Sequence, residues 1–332
     1  MKKAVVWFAV VAMALTLFGC SSKAPDTDAK TPVKVTAITG PTGVGLVELM
    51  DRQQAGSTAN AYTFNLVGDP QQAVAAIKTG MADIAAVPTN LASTLYKVTG
   101  GGVQVLAVNT LGVLYVLENG DSVQSVADLK GKTVYSSGQG ANPEYVIRYV
   151  LEKNGLNSDK DVTLKFVEDN DALVAAVATQ QAAVALVPEP KVTACQVQMK
   201  AAGKTPARNA LDMTEEWAKA AGGDSALMMG CVIVRKAFAE QNSEAIRLFL
   251  EEYRASVESV NADAARAAEL CEQYGVIPKA AVAKQAIPRC NIVFSAGVQM
   301  KTRLAGYLGV LYGYNPAAVG GALPAEDFYY EQ

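Results

Sequence analysis

The sequence predicts an α/β protein of two similar lobes with a ligand cleft between them, and three observations carry this. First, Gln71–Asn90 returns as Asp171–Pro190 at an offset of 100 residues. Val74, Ala75, Ala76, Thr79, Ala82, Ala85, Val87 and Pro88 recur as Val174, Ala175, Ala176, Thr179, Ala182, Ala185, Val187 and Pro188. Each copy reads as a helix and then a short apolar strand stopped by proline. Second, a strand, a glycine-bearing loop and a helix occur in that order twice, around Gly40-Pro41-Thr42-Gly43 and around Ser137-Gly138-Gln139. Third, 332 residues suffice for roughly two domains. Ligands of open α/β sheets sit beyond the carboxyl ends of the strands, so Pro88 and Pro188 mark two edges of one cleft.

The elements follow in order. Val33–Ile38 alternates as a strand, and a helix runs from the Gly40 loop to about Gln54. Tyr62, Phe64 and Leu66 alternate in a second strand. Asp69-Pro70 starts a helix, with Asp as cap and Pro at the first position, and Gly80 stops it. Ile84–Val87 is a buried strand, after which Thr89 or Asn90 is expected to cap the next helix. Val103–Val108 and Leu111–Glu118 are back-to-back strands, which suits a crossing into the second lobe. Lys132–Tyr135 begins a strand. Asn142-Pro143-Glu144 then opens a helix by cap, proline and first-turn acid, and Gly155 ends it. Val162–Val167 is a strand. Lys191–Ala202 is helical, and Ala226–Val234 is an apolar strand returning to the first lobe. The rest reads as mostly helical. Leu304, Tyr307, Leu308 and Leu311 stand at core spacing in the last helix, and Phe328, Tyr329 and Tyr330 read as tail packing.

Composition removes several functions. Hydrophobic residues make up 50% and charged residues 18%, with a net charge of -3. Beyond Lys2-Lys3 there is no basic run, so nucleic acid is not an expected partner. The chain has no histidine. That excludes Ser-His-Asp and Cys-His catalysis and His-ligated zinc. No metal or cofactor is expected.

The N-terminus reads as an address. Lys2 and Lys3 precede an apolar run, Ala4–Phe18, of signal-peptide length. The run ends Leu17-Phe18-Gly19-Cys20, which resembles a bacterial lipobox. Residues 1–19 are then a signal peptide, and Cys20 carries lipid as the new N-terminus. Residues 20–31 form a flexible tether. Losing Lys2 and Lys3 from 29 basic residues leaves 27 against 32 acidic, a balance of -5. Four further cysteines remain in a compartment that permits disulfides. Cys271 and Cys290 are the best candidate pair, buried free thiols being the alternative, and Cys195 is expected unpaired.

With a lipobox, two α/β lobes and two crossings, the chain resembles a substrate-binding lipoprotein of a bacterial ABC importer. More narrowly, it resembles the nitrate, sulfonate, taurine and thiamine-precursor binding proteins. The residues that carry this are Gly40-Pro41-Thr42-Gly43, Gly80-Met81-Ala82-Asp83-Ile84-Ala85 and Asp128-Leu129-Lys130-Gly131-Lys132-Thr133-Val134, with Gly138–Arg148 and Ala286–Asn291. The resemblance implies a type II periplasmic-binding-protein-like fold in which two lobes close on a ligand. Lobe I takes residues 32–111 and 230–332, and lobe II takes 112–229. It also implies a monomer held by its lipid at the outer face of the cytoplasmic membrane. Its partners are a small-molecule ligand and the transmembrane subunits of an ABC permease. Carried onto this chain, the ligand-facing residues are Gly40, Pro41, Thr42, Gly43, Pro88, Thr89, Asn90, Ser137, Gly138, Gln139, Asn142, Pro188 and Glu189, with Met229 near the hinge.

Ligand chemistry is less determined. Helix N-termini at Gly43, Asn90 and Asn142 suit an anion. Yet no arginine lies in the four loops, where an oxyanion site would use a guanidinium fork. Glu189 facing inward favours an amine-bearing or heterocyclic ligand; facing outward it is a solvated charge. Two other classes stay open: a ligand sensor, and a lyase or synthase on the same fold. Asp83, Glu144 and Glu189 are the carboxylates available for the latter, with Asp83 more readily a turn residue.

Overall fold

β1 (Pro32–Ile38) leads through a short α1 (Pro41–Val44) into α2 (Val47–Gln54). There follow β2 (Ala61–Val67), α3 (Pro70–Thr79), β3 (Ile84–Pro88), α4 (Thr89–Val98) and β4 (Val103–Thr110). The chain then crosses to β5 (Leu114–Glu118), β6 (Thr133–Ser136), α5 (Asn142–Lys153), β7 (Thr163–Phe166) and α6 (Asn170–Ala178). This part ends with β8 (Val184–Pro188), α7 (Lys191–Ala201), β9 (Arg208–Asp212) and α8 (Met213–Ala221). It returns as β10 (Gly230–Arg235), α9 (Lys236–Gln241), α10 (Ser243–Ala262), α11 (Ala264–Gln273), α12 (Ala280–Ala286), β11 (Ile292–Ser295) and α13 (Gly297–Tyr314). This computed structural model describes residues 30–223 and 225–331. The signal segment, Cys20 and most of the tether lie outside the described residues.

Two sheets result, ordered β11-β4-β10-β3-β1-β2 and β7-β6-β8-β5-β9. β1 runs parallel to β2 and β3, and β6 runs parallel to β7 and β8. In each sheet an antiparallel strand comes from the other side. β10 pairs with β3 and β4, and β5 pairs with β8 and β9. The chain therefore crosses between the sheets twice.

The repeat holds at the level of single hydrogen bonds. Asp69 caps α3 by accepting from the Gln71 amide, and Asp169 caps α6 by accepting from Asp171 and Ala172. The Thr79 hydroxyl donates to Ala75 O at 2.8 Å, and that of Thr179 donates to Ala175 O at 2.8 Å. Ala82 N–H meets Ala76 O at 3.0 Å, and Ala182 N–H meets Ala176 O at 2.9 Å. Gly80 closes α3 in the left-handed region, and Gln180 takes the same conformation in the second copy. Such matched bonds are not a matter of Ala/Val composition.

Apolar periodicity picked the core correctly. Leu304, Tyr307, Leu308 and Leu311 are fully buried, and Phe328 and Tyr329 pack as the tail, with Tyr329 bridged to Val105. β9 and α8 carried little sequence signal. Only Asp212, which caps α8 through the Thr214 amide, marks the helix start. The cysteine pairing needs correction. Cys195, Cys231, Cys271 and Cys290 are all buried free thiols. Cys271 and Cys290 fill space in the apolar cluster of the first lobe, where burial pushes both thiols upward.

The two crossings touch at Gly112. A Cβ there would collide with the Thr214 hydroxyl and come within 2.7 Å of Leu227, while Gly112 O accepts from Asn291 Nδ2 at 2.6 Å. Gly112→Ala is expected to cost about 1–3 kcal/mol by overpacking. A urea unfolding midpoint equal to wild type would show that the crossings yield freely.

Candidate functional site

Four loops leave the carboxyl ends of β1, β3, β6 and β8, and their first contacts repeat the internal symmetry. Thr89 N–H, after β3, donates to Met229 O at 3.1 Å; Glu189 N–H, after β8, donates to Val113 O at 2.8 Å. Pro88 faces Gly230 across the sheet as Pro188 faces Leu114. The loops after β3 and β8 are thus each held against one of the two crossing segments.

Across the lobes, two loops meet directly. Asn142 Nδ2 donates to Asn90 Oδ1 at 3.3 Å, and Asn90 Nδ2 donates to Ala318 O. Neither asparagine caps its helix, contrary to the sequence reading. The N-caps are Pro88 and Ala141, without side-chain bonds, because both amides are turned toward the opposite lobe and the tail. Thr89 does not cap either; its hydroxyl donates to Met228 O at 2.6 Å. Asn142 Oδ1 is buried with no hydrogen-bond partner among the described residues. Its orientation is fixed at a distance. Flipping Asn142 forces Asn90 to flip, which places Asn90 Oδ1 against the Ala318 carbonyl. The site therefore presents an acceptor at Asn142.

The Gly40 loop is braced from below. Gly40, at φ 95°, donates its N–H to Val276 O, and Gly43 N–H returns to Gly40 O. Pro41 opens α1, and Thr42 O accepts from Asn109 Nδ2 at 3.0 Å. A Cβ on Gly230 would lie 2.6 Å from Thr42 Cγ2 and 2.7 Å from Asn109 Oδ1, so only glycine lets β10 pass beneath this loop. In the second lobe the Ser137 hydroxyl turns into its own lobe, donating to Asn170 Oδ1 at 2.6 Å. Gly138 takes φ 75° and Gln139 is exposed.

Glu189 is neither an open cleft carboxylate nor a surface charge. Its side chain is fully buried, with Arg289 Nε donating to Oε1 at 2.5 Å. Thr193 adds its N–H and its hydroxyl, both at 3.1 Å. Burial raises the Glu189 carboxyl, and Arg289 and Thr193 pull it back. The carboxylate is committed within the protein and is not free for a ligand amine. The other two candidate carboxylates are engaged as well. Asp83 binds Arg235 at 2.6 Å and the Lys34 N–H. Glu144 binds Arg148 at 2.8 Å and the Gly140 N–H at 2.7 Å. Glu144 also sets negative charge against the positive end of α5, which weakens that end as an anion site.

Sequence reasoning missed Asn109, Arg289 and the tail turn at Asn315–Val319. Arg289 lies 100 residues from its partner, and no local pattern announces it. Asn315-Pro316, by contrast, shows the same cap-and-proline signature as Asn142-Pro143. Surface cavities also lie away from these loops. One of about 570 Å³, lined by Arg254, Lys301 and Tyr329 among others, touches none of the four loops.

Comparison with known proteins bears on the fold and on part of the sequence. Residues 61–204 match the family model described as ABC transporter, phosphonate, periplasmic substrate-binding protein. No curated protein matches the chain. Among solved structures, an ABC transporter from Parabacteroides distasonis is 20% identical, with a TM-score of 0.74 over 91% of this chain and 100% of that one. The periplasmic aliphatic sulphonate binding protein of Escherichia coli is 13% identical, with a TM-score of 0.69 over 91% and 93%. The alkanesulfonate-binding protein of Xanthomonas axonopodis pv. citri, bound to MOPS, is 15% identical, with a TM-score of 0.58 over 90% and 96%. The chain thus has the two-lobed type II periplasmic-binding fold, and its resemblance to ABC-importer substrate-binding proteins is shown.

Proposed function

We propose that this chain is the extracytoplasmic solute-binding lipoprotein of an ABC importer, anchored through Cys20 at the outer face of the cytoplasmic membrane. It works as a monomer that captures a small ligand by lobe closure and hands it to the permease. Closure is a shift of population toward the state the ligand favours, and no bond is made or broken. The lobes of this mechanism are residues 32–111 with 230–332, and 112–229. The observation that supports it most is the Asn90–Asn142 contact, which joins two strand-end loops of opposite sheets.

The ligand is read as an N–H-bearing molecule, an amine or a polar heterocycle. Glu189 no longer supports this; Asn142 Oδ1 does, since a buried acceptor without a partner calls for a donor. A second reading, an oxyanion such as a phosphonate or sulfonate, is favoured by the family match over residues 61–204. Against it, Arg289 and Arg148 are paired with Glu189 and Glu144.

Thermal unfolding against amines, heterocycles, phosphonates, sulfonates and nitrate separates these readings. A ligand at 100 times its Kd adds about 2.7 kcal/mol. The proposal expects at least one amine or heterocycle to raise the midpoint. It also expects Asn142→Ala to lose about tenfold in affinity for that ligand, as for a hydrogen bond worth about 1.4 kcal/mol. If only donor-free anions shift the midpoint, the second reading takes over. If nothing does, small-molecule capture fails.

A further inference from the structure

The tail turn that follows α13 touches both lobes at once. Asn315 Nδ2 donates to the Tyr145 hydroxyl at 2.9 Å, and that hydroxyl donates to Gly140 O at 2.8 Å. Gly140 lies in the Ser137–Asn142 loop, two residues before Asn142. Three residues after Asn315, Ala318 O accepts from Asn90, and Asn90 accepts from Asn142. The bonds close a ring: Asn315 to Tyr145, to the Gly140–Asn142 loop, to Asn90, to Ala318, and along the backbone to Asn315.

The ring has one half in each lobe. Asn90 and the tail turn belong to the lobe of β3 and β11; Tyr145 and Asn142 belong to the lobe of β6. The tail turn is fixed on its own side, since Val319 O accepts from Ser93 Oγ at 2.8 Å and Asn315 Oδ1 accepts from the Ala317 N–H. Tyr314, the last residue of α13, reaches across to the second lobe, stacking on Tyr145 and donating its hydroxyl to Glu152 Oε2 of α5 at 2.6 Å. Separation of the lobes at this end breaks the Asn315–Tyr145 and Asn90–Asn142 bonds together with Tyr314–Glu152, while the Arg289–Glu189 pair ties the lobes elsewhere.

We infer that Asn315 and Tyr145 are positioning residues that form a closure latch, separate from the hinge. The latch holds the second-lobe ligand loop in place whenever the tail turn is seated. This rests on the lobe-closure reading above. The ligand engages Asn142, and the latch sets how long the closed state lasts. Its loss speeds ligand departure, and because arrival takes place in the open form, it raises apparent arrival by the factor by which the open fraction grows.

The reporter is built in. The sequence has two tryptophans, Trp7 and Trp217. Trp217, on α8 of the second lobe, is buried with its ring centroid 5.4 Å from that of Tyr307 on α13. In a Trp7→Phe background of the full chain, acrylamide quenching of Trp217 reports lobe separation without any ligand. Asn315→Ser keeps a side-chain oxygen for the Ala317 N–H and is too short to reach the Tyr145 hydroxyl. Tyr145→Phe keeps the stack on Tyr314 and loses the bond from Asn315 together with the bond to Gly140 O within its own lobe. Both are expected to raise quenching by a common factor of about three- to tenfold, the range of one net hydrogen bond. With any ligand found by the thermal screen, the dissociation rate and the apparent association rate both rise by a similar factor. Quenching equal to wild type in both variants overturns the latch, even where the unfolding midpoint drops. A screen without hits defeats small-molecule capture and leaves the quenching result standing as the test of the latch.

Discussion

Arg289→Met is expected to destabilise the protein by about 3–5 kcal/mol at neutral pH, as removal of one partner of a buried ion pair does. The Glu189 side chain is fully buried, and among the described residues Arg289 is the cation paired with it, at 2.5 Å. The effect reaches further than one bond. Arg289 Nη2 also donates to Thr193 Oγ1 at 2.5 Å, and Arg289 O accepts from Tyr115 on β5 at 2.9 Å. The pair thus ties the segment before β11 to the start of the second sheet. The loss is expected to depend on pH. Burial raises the Glu189 carboxyl, and without Arg289 it rises further. A carboxyl raised in the folded state contributes stability that is present below its unfolded value and lost as pH rises through the folded value. The deficit of Arg289→Met is therefore largest at neutral pH and shrinks in mild acid, as Glu189 takes up its proton. Denaturant midpoints of both proteins at about pH 5 and about pH 8 check this. An equal deficit at both pH values would mean that Glu189 is not the group left unpaired. Replacing both residues, Glu189→Leu with Arg289→Met, is expected to recover most of the loss.

Trp217→Ala is expected to cost about 3–5 kcal/mol, the range for removing a large buried aromatic. Trp217 is wholly buried, with Tyr149 of α5 at 4.3 Å between centroids and Tyr307 at 5.4 Å. Its indole N–H donates to Ser225 Oγ at 3.2 Å. It joins a helix of each lobe to the segment returning toward β10. Trp217→Phe keeps part of the apolar contact and is expected to cost less than half as much. A urea titration that found Trp217→Ala within about 1 kcal/mol of wild type would show that the lobes do not share this core.

How much was legible in the sequence varied with the range of the interaction. The repeat, the Asp69 cap, the Gly80 stop and the apolar face of α13 are local patterns, and local physics formed them as read. Pro88 and Pro188 marked real strand ends, because each loop after them binds a crossing segment at the same offset. The side-chain roles were less legible. Asn142 has every local mark of a cap, yet its amide finds a better partner in Asn90, 52 residues away in sequence. Glu189 read as a choice between cleft and solvent, because the residue that settles it, Arg289, comes from a distant turn. Cys271 and Cys290 stand in a compartment suited to disulfides, but in the apolar core they serve as small hydrophobes.

The central claim is that these two lobes close on a small ligand held between the loops after Pro88 and Pro188. Solution scattering of the wild-type chain, with and without the best ligand from the thermal screen, tests it most directly. The account predicts a smaller radius of gyration with ligand than without, and for Asn142→Ala the same decrease at about tenfold higher ligand concentration. The same radius in both conditions, at ligand concentrations that saturate the thermal shift, would contradict lobe closure.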